Sequence, residues 1–114
     1  MRQIYIVNAT QVVTSETHPE GVYSTITGYP KTFDSRNYNA TEQNPNGDDA
    51  RALQVAKAEY YSRLSTMCAS DTPTRVMSVV TLTRADGRQI MSERIGALPD
   101  MTPTAEPIVT DIEE

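Results

Sequence analysis

The sequence predicts a single small α+β domain with the element order β-β-α-β-β, in which one helix packs on one face of a four-stranded antiparallel sheet. The chain has 114 residues, which fits one domain. Strand-like apolar segments flank a central segment in which apolar residues recur every three or four positions. Residues 1–96 are expected to form the domain, and residues 97–114 a disordered acidic tail containing Pro and Thr.

The first two strands are predicted to form an antiparallel hairpin. Residues 3–14 are rich in Ile, Val and Tyr, which favour strands, and Asn8 and Ala9 indicate a bulge or a weak point. The turn at residues 15–21 contains Pro, which fixes one φ angle, and Gly, which can close the turn. The second strand, residues 22–28, follows closely enough to pair with the first.

Residues 29–47 are predicted to be a long loop or an irregular sheet edge. Pro30 would remove a hydrogen bond from a strand ladder, and Asn, Pro and Gly accumulate toward the end of the segment. Tyr29, Phe33 and Tyr38 are expected to attach this segment to the domain. Because so long a connection is uncommon in a compact domain, it is a candidate binding loop.

The central segment, residues 48–69, is predicted to be an amphipathic helix. Glu59 and Arg63 are spaced for an ion pair across one helical turn. The residues able to cap the start of the helix are Asn46, Asp48 and Asp49. The apolar stripe expected to face the sheet consists of Leu53, Ala56, Tyr60, Leu64 and Met67, widened by Tyr61 and Cys68.

A closing hairpin is predicted from strands at residues 75–84 and 88–95. Its register has two solutions. A two-residue Asp-Gly loop places Leu82 opposite Met91, whereas a three-residue loop with its glycine in a bulge places Leu82 opposite Ile90. Because a slip of one residue exchanges the faces of a strand, the sequence leaves the buried set of this hairpin open.

The charge of the chain is concentrated in the predicted tail. The formal net charge is -5, from 15 acidic and 10 basic residues. Residues 97–114 hold five of the acids and no Lys or Arg. The remaining acids balance the 10 basic residues, so residues 1–96 are formally neutral. The net charge of the tail and the net charge of the domain must therefore be considered separately for any interaction with nucleic acid.

The sequence argues against catalysis. His18 is the only histidine and Cys68 the only cysteine. A Cys/His zinc site or a Ser-His-Asp triad therefore cannot be assembled within one chain. Neither a dinucleotide-binding glycine motif nor a Walker A segment is present. We expect no catalytic residues, no cofactor and no metal, with His18 at the surface and Cys68 in the core.

One acidic pair has two interpretations, helix capping and metal binding. Asp48 and Asp49 are adjacent at the start of the predicted helix, where carboxylates suit the positive end of the helix dipole. Metal ligation would require Asp34 or Asp71 to join them, and no ligand spacing supports that. We interpret the pair as helix capping.

The same sequence features predict a cytoplasmic protein, in the host cytoplasm if it is encoded by a phage. No apolar run approaches the ~20 residues needed to cross a bilayer, and the first residues lack a secretory pattern. No membrane partner is therefore expected. The sequons at Asn8 and Asn39 are interpreted as chance matches, because glycosylation requires secretion.

The favoured functional hypothesis is a non-catalytic interaction or assembly module. Its small core and its uncovered sheet face suggest self-association into a homo-oligomer, with an unknown protein as a further partner. Small accessory or structural proteins of phages and mobile elements fit this description. Within the tail, the candidate interaction residues are Asp111, Ile112, Glu113 and Glu114.

The alternative hypothesis is a single-stranded nucleic-acid-binding protein. The chain has 6 Tyr against 1 Phe and no Trp, and tyrosine rings can stack on bases while arginines contact phosphates. The acidic tail would then compete with nucleic acid for the protein's own basic surface. The candidate nucleic-acid or partner contacts are Tyr29, Tyr38, Arg75, Arg84, Arg88 and Arg94.

Overall fold

The computed structural model describes residues 1–69 and 73–100 and confirms the α+β fold. One helix packs on an antiparallel sheet. A short 3-10 helix, Ser35–Asn37, precedes the α-helix. The elements in chain order are β1 (Ile4–Val13), β2 (Val22–Thr25), β3 (Lys31–Asp34), α1 (Asp49–Ala69), β4 (Arg75–Arg84) and β5 (Gln89–Gly96).

The strand order across the sheet is β2-β1-β4-β5, and β3 also pairs with β1. Because Tyr5 to Val7 pair with β4 on one side and with β3 on the other, β3 shares the outer edge of β1 with β2. β2 and β3 are thus two short pieces of one irregular edge. The predicted four-stranded sheet is present, with its first edge strand divided in two.

The division of this edge falls opposite Asn8 and Ala9. β3 pairs with residues 4–7 of β1, and β2 with residues 10–13. The Asn8 side-chain oxygen accepts the Ala9 backbone N–H at 3.0 Å. The weak point predicted at these two residues is therefore the place where β1 changes partner. The register shift against β4 lies elsewhere, between Val12 and Val13.

The segment predicted as residues 29–47 is more ordered than a loop. Pro30 comes directly before β3, at the start of an edge strand, where proline removes no ladder bond. Tyr29, Phe33 and Tyr38 pack against the core, which confirms that they attach this segment to the domain. Of the two predicted alternatives, the irregular sheet edge is confirmed for residues 31–34, and the prediction of a loop is wrong for residues 35–37, which form a helical turn.

The helix begins and ends close to its predicted bounds, and Asp48 caps it. The Asp48 carboxylate accepts the Arg51 backbone N–H at 3.0 Å, which satisfies one of the free donors of the first turn. The helix-facing core on the sheet comes from the central strands β1 and β4. The helix residues buried against it are Ala52, Ala56, Tyr60 and Met67, with Leu53 and Leu64 half-buried.

Two residues expected to widen the apolar stripe are exposed. Tyr61 is 53% exposed, and Cys68 is also exposed, so the prediction of a core cysteine is wrong. Successive helical residues are rotated by about 100°. Tyr60 and Met67 point at the sheet, so the residue after each one points away from it. The sheet contacts a narrower stripe than the sequence pattern indicates.

The closing hairpin combines both predicted registers. The Arg84 N–H donates to the Arg88 carbonyl at 2.8 Å and the Gly87 N–H to the Arg84 carbonyl at 2.9 Å, so the loop has three residues, with φ of +95° at Gly87. A further register shift then places Leu82 opposite Met91, as the two-residue loop would have done. Ile90 is the extra residue of a β-bulge, and the bulge keeps Leu82 on the buried face.

The predicted tail lies largely outside the described residues. Ala97 to Asp100 follow β5 without regular structure, and the Ala97 N–H donates to the Val76 carbonyl at 3.1 Å. The predictions of disorder and of an interaction peptide concern residues 101–114, which the structure does not describe. Asp71 is likewise outside the described residues.

Candidate interaction face

The two faces of the sheet differ in what covers them. On one face, Tyr5, Val7 and Ala9 of β1 and Val80 and Leu82 of β4 are fully buried beneath the helix. Side chains alternate along each strand, so the intervening residues point to the other face. No described element packs over that second face. We call it the open face.

The open face mixes β-branched apolar and hydroxyl side chains. Paired residues of neighbouring antiparallel strands lie on the same face, so the register identifies its members. Most of these residues are half-buried or exposed. They include Ile4, Ile6, Asn8, Thr10, Tyr23, Thr25, Met77, Val79, Thr81, Ser92 and Arg94.

A shallow depression of about 230 Å³ lies in the open face. Tyr23 stands beside it and is 67% exposed, although it belongs to a regular strand. Tyrosine is enriched at interfaces, because its ring buries apolar surface while its hydroxyl can hydrogen-bond. The side chains lining the depression are Asn8, Thr10, Tyr23, Val79 and Thr81.

The chemistry of this depression suits binding. The lining side chains supply an amide, two aliphatic hydroxyls, a phenol and one apolar group. They include no carboxylate, imidazole, thiol or amine that would serve as a general acid, base or nucleophile at neutral pH. One charged group is adjacent, because the exposed Arg94 lies opposite Val79 in the β4–β5 register.

The six residues predicted to contact nucleic acid do not form one surface. Arg75 begins β4 and Arg84 ends it, so they lie roughly 30 Å apart. Arg88 is exposed in the hairpin loop. Tyr29 and Tyr38 are half-buried against the core, where their rings are not free to stack on bases. The register places Arg94 on the open face.

Tyr29 instead attaches the β2–β3 connection to the helix. Its hydroxyl donates to the Glu59 carboxylate at 2.5 Å, and the Lys31 ammonium lies 3.4 Å from the same carboxylate. The Arg63 guanidinium lies 5.8 Å from the centre of the Tyr29 ring, within cation–π range. Glu59 therefore interacts with Lys31 and Tyr29, and the predicted Glu59–Arg63 pair is replaced by contacts of both residues with Tyr29.

Two tyrosines are held strongly in their neutral form. Partial burial, and then the hydrogen bond to Glu59, raise the pKa of Tyr29 to about 12. Burial and the hydrogen bond to Asp49 raise the pKa of Tyr5 to about 12, against a smaller opposing effect of the Arg84 charge. These hydroxyls donate to carboxylates that anchor structure, which gives both tyrosines a structural role.

The acidic pair at the helix start is divided between two tasks. Asp48 caps the helix, whereas Asp49 accepts the Tyr5 hydroxyl. Among residues 1–69 and 73–100, no three His, Cys, Asp or Glu side chains cluster as metal ligands.

His18 is exposed, as predicted, with its Nδ1 3.4 Å from a Glu20 carboxylate oxygen. No helix in the described part of the chain is long and apolar enough to span a bilayer.

Sequence reasoning missed the depression and the role of Tyr23. The alternation in β2 places Tyr23 and Thr25 on one face, but does not say which face the helix covers. The signal that would have helped is the polarity of Asn8 and Thr10 in the otherwise apolar β1. Polar residues two positions apart in an interior strand indicate the face that remains solvated.

No protein-family model matches the sequence, and no curated protein or solved structure matches it.

Proposed function

We propose that this protein is a non-catalytic assembly module that forms a homodimer by stacking the open faces of two sheets. The observation that carries the proposal is the exposed Tyr23 beside a depression on the same uncovered face. In a two-fold dimer, a projection and a recess on one surface meet their counterparts reciprocally. Tyr23 of each copy would enter the depression of the other.

The size of the face supports a reversible dimer. β1 has 10 residues, and strands of ~3.3 Å rise per residue spaced by ~4.8 Å give a four-stranded face of roughly 600 Å². Stable interfaces bury about 800 Å² per partner, so this face is slightly below that size. We therefore expect a dimer that dissociates on dilution.

The side chains of β1 on this face supply both apolar and polar contacts. They run from apolar Ile4 and Ile6 to polar Asn8 and Thr10, whereas Val12 beyond them is buried. A two-fold axis along the strands would place Ile4 and Ile6 of one copy against the same residues of the other, and would bring the amide and hydroxyl groups together for hydrogen bonding.

Sedimentation equilibrium on the full chain tests the proposal. Thr81→Lys places a charge in the depression without touching the buried face, and we expect it to weaken dimerisation at least about tenfold, because the charge would be desolvated between the sheets. The matched control is Ser62→Lys, which adds the same charge on the exposed side of the helix. A monomer at all concentrations, or equal dimerisation of both variants, would contradict the proposal.

Single-stranded nucleic-acid binding is a second proposal, and of the six residues that the sequence suggests it retains only Arg94. The exposed Tyr23 and Arg94 on one face support it, as a stacking ring and a phosphate contact. It requires oligonucleotide binding that weakens with salt and strengthens when Asp111, Glu113 and Glu114 are changed to amides. No oligonucleotide binding by that variant at low salt would eliminate it.

A further inference from the structure

We propose that the outer edge of β5 binds residues 108–112 of a second copy as an added antiparallel strand. This interaction is separate from the stacked open faces, since it uses the edge of the sheet. Repeated from copy to copy, it would join dimers into larger assemblies. Three features support it: the described edge, the sequence of the bound segment, and the length of the connection.

The two edges of the sheet differ in their capacity to pair. The β2–β3 edge is divided opposite Asn8 and Ala9 and contains Pro30, and such features protect an edge from pairing. β5 has eight residues, and no other described strand pairs with its outer side. Its backbone is therefore an available template for a strand from another chain.

The register of β5 shows which backbone groups face outward. The Ala97 N–H donates to the Val76 carbonyl, and residues of an antiparallel strand alternate between inward and outward hydrogen bonding. Glu93 and Ile95 therefore direct their backbone groups to β4. Ser92 and Arg94 direct theirs away from the sheet, where an added strand would meet them.

The segment at residues 108–112, Ile-Val-Thr-Asp-Ile, has the composition of a strand. Four of its five residues are β-branched, and Pro107 comes before it, where proline is tolerated at the start of a strand. Acidic residues follow at Glu113 and Glu114. This is the stretch of residues 97–114 whose composition most favours extended structure.

One antiparallel register matches the side chains of the two strands. On the helix side of β5 it pairs apolar with apolar at both ends and a hydroxyl with a carboxylate between them. On the open side it places Asp111 diagonal to Arg94, with opposite charges. The cross-strand pairs on the helix side are Ile108 with Ile95, Thr110 with Glu93, and Ile112 with Met91.

The connection favours a second copy over the chain's own edge. Residues 97–107 separate β5 from the segment and contain Pro99, Pro103 and Pro107. On the chain's own β5, the register that pairs Ile108 with Ile95 would make residues 96–107 the loop of a hairpin. Hairpin loops usually have about 2–5 residues, so a connection of this length is poorly suited to fold straight back onto the strand that it leaves. The same length allows the segment to reach the edge of a neighbouring copy.

Two proline variants of the full chain block the two halves of the contact. Val109→Pro removes a backbone donor from the added strand and disfavours its extended pairing. Ser92→Pro removes an outward donor of β5 without breaking a bond to β4. Thr104→Pro and Ser92→Ala are the matched controls, which leave those donors in place. Circular dichroism and thermal unfolding establish that each variant is folded.

The test measures assembly by sedimentation in a Thr81→Lys background, so that the stacked face does not contribute. We expect Val109→Pro and Ser92→Pro each to weaken assembly by at least about tenfold, and the two controls to leave it unchanged. Mixing the two blocked variants should restore one-to-one complexes, because one supplies an intact edge and the other an intact segment. Assembly that survives Val109→Pro, or a mixture that stays monomeric, would overturn the proposal.

A peptide measurement separates this proposal from the proposed function. A labelled peptide of residues 106–114 should bind the Val109→Pro chain, and bind at least about tenfold more weakly when Ser92→Pro is added. A peptide with the same residues in scrambled order is the control. Equal binding of both peptides would overturn the strand pairing, whereas loss of dimerisation in Thr81→Lys alone bears only on the stacked face.

Discussion

The Tyr5 hydroxyl donates a hydrogen bond to the Asp49 carboxylate and so joins an interior strand of the sheet to the first residue of the helix. The two residues are 44 positions apart, and Tyr5 is fully buried. This contact fixes the start of the helix over the sheet. Its neighbour Asp48 uses its carboxylate within the helix, as the cap.

Loss of the Tyr5 hydroxyl should destabilise the domain. Tyr5→Phe keeps the ring but leaves the Asp49 carboxylate without its donor, and hydrogen bonds to charged groups contribute about 1.5–3 kcal/mol. We expect the free energy of unfolding in urea to fall by about 2 kcal/mol. Tyr23→Phe is the matched control, because its hydroxyl is on the exposed side chain of β2, and it should change stability by less than about 0.5 kcal/mol.

Alkaline pH should remove the contributions of Tyr5 and Tyr29. Their folded pKa of about 12 lies above the usual value of 10. Stability from these groups is fully present below pH 10 and is lost as pH rises from 10 toward 12, because the unfolded chain releases the protons first. Tyrosinate absorbance should show a late-ionising fraction that Tyr29→Phe reduces. Ionisation of all six tyrosines together near pH 10 in the folded protein would contradict this.

The cap at Asp48 should matter more than its exposed acidic neighbours. Asp48→Ala removes the acceptor of the Arg51 N–H and should cost about 1 kcal/mol of unfolding free energy. Asp48→Asn keeps an acceptor and should recover most of that loss. Glu42→Ala, an exposed carboxylate in the preceding loop, is the control and should have little effect. Equal effects of the Asp48→Ala and Glu42→Ala changes on thermal unfolding would show that capping is unimportant here.

Gly47 should not tolerate a side chain. Its φ is +72°, and a Cβ atom there would lie 1.9 Å from the Ser35 carbonyl oxygen, a backbone atom. Gly47→Ala should therefore reduce the free energy of unfolding by more than about 3 kcal/mol or prevent folding, since strain and a backbone clash add. Gly28→Ala is the control, with a φ of +93° but no atom within 4 Å. In urea unfolding it should cost only about 1 kcal/mol, from the φ angle alone.

The sequence alone determined the main elements and their order, but not β3 as a separate strand or the short 3-10 helix after it. Alternation and β-branching predicted β1, β4 and β5, and the spacing of Ala56, Tyr60 and Met67 predicted the helix that packs on them. These signals are local, because the periods of strand and helix are properties of neighbouring residues. Capping is equally local, so the sequence also identified Asp48 as a candidate cap.

Tertiary structure decided everything that depends on which residues meet across the fold. It left Tyr23 exposed on the open face, whereas Tyr29 and Tyr38 lie against the core, as the sequence predicted. It buried Met67 but exposed Cys68, because the sheet covers only a narrow stripe of the helix. A tyrosine's role is set by its register on the sheet and by the face that the helix covers, and neither is a local property of the chain.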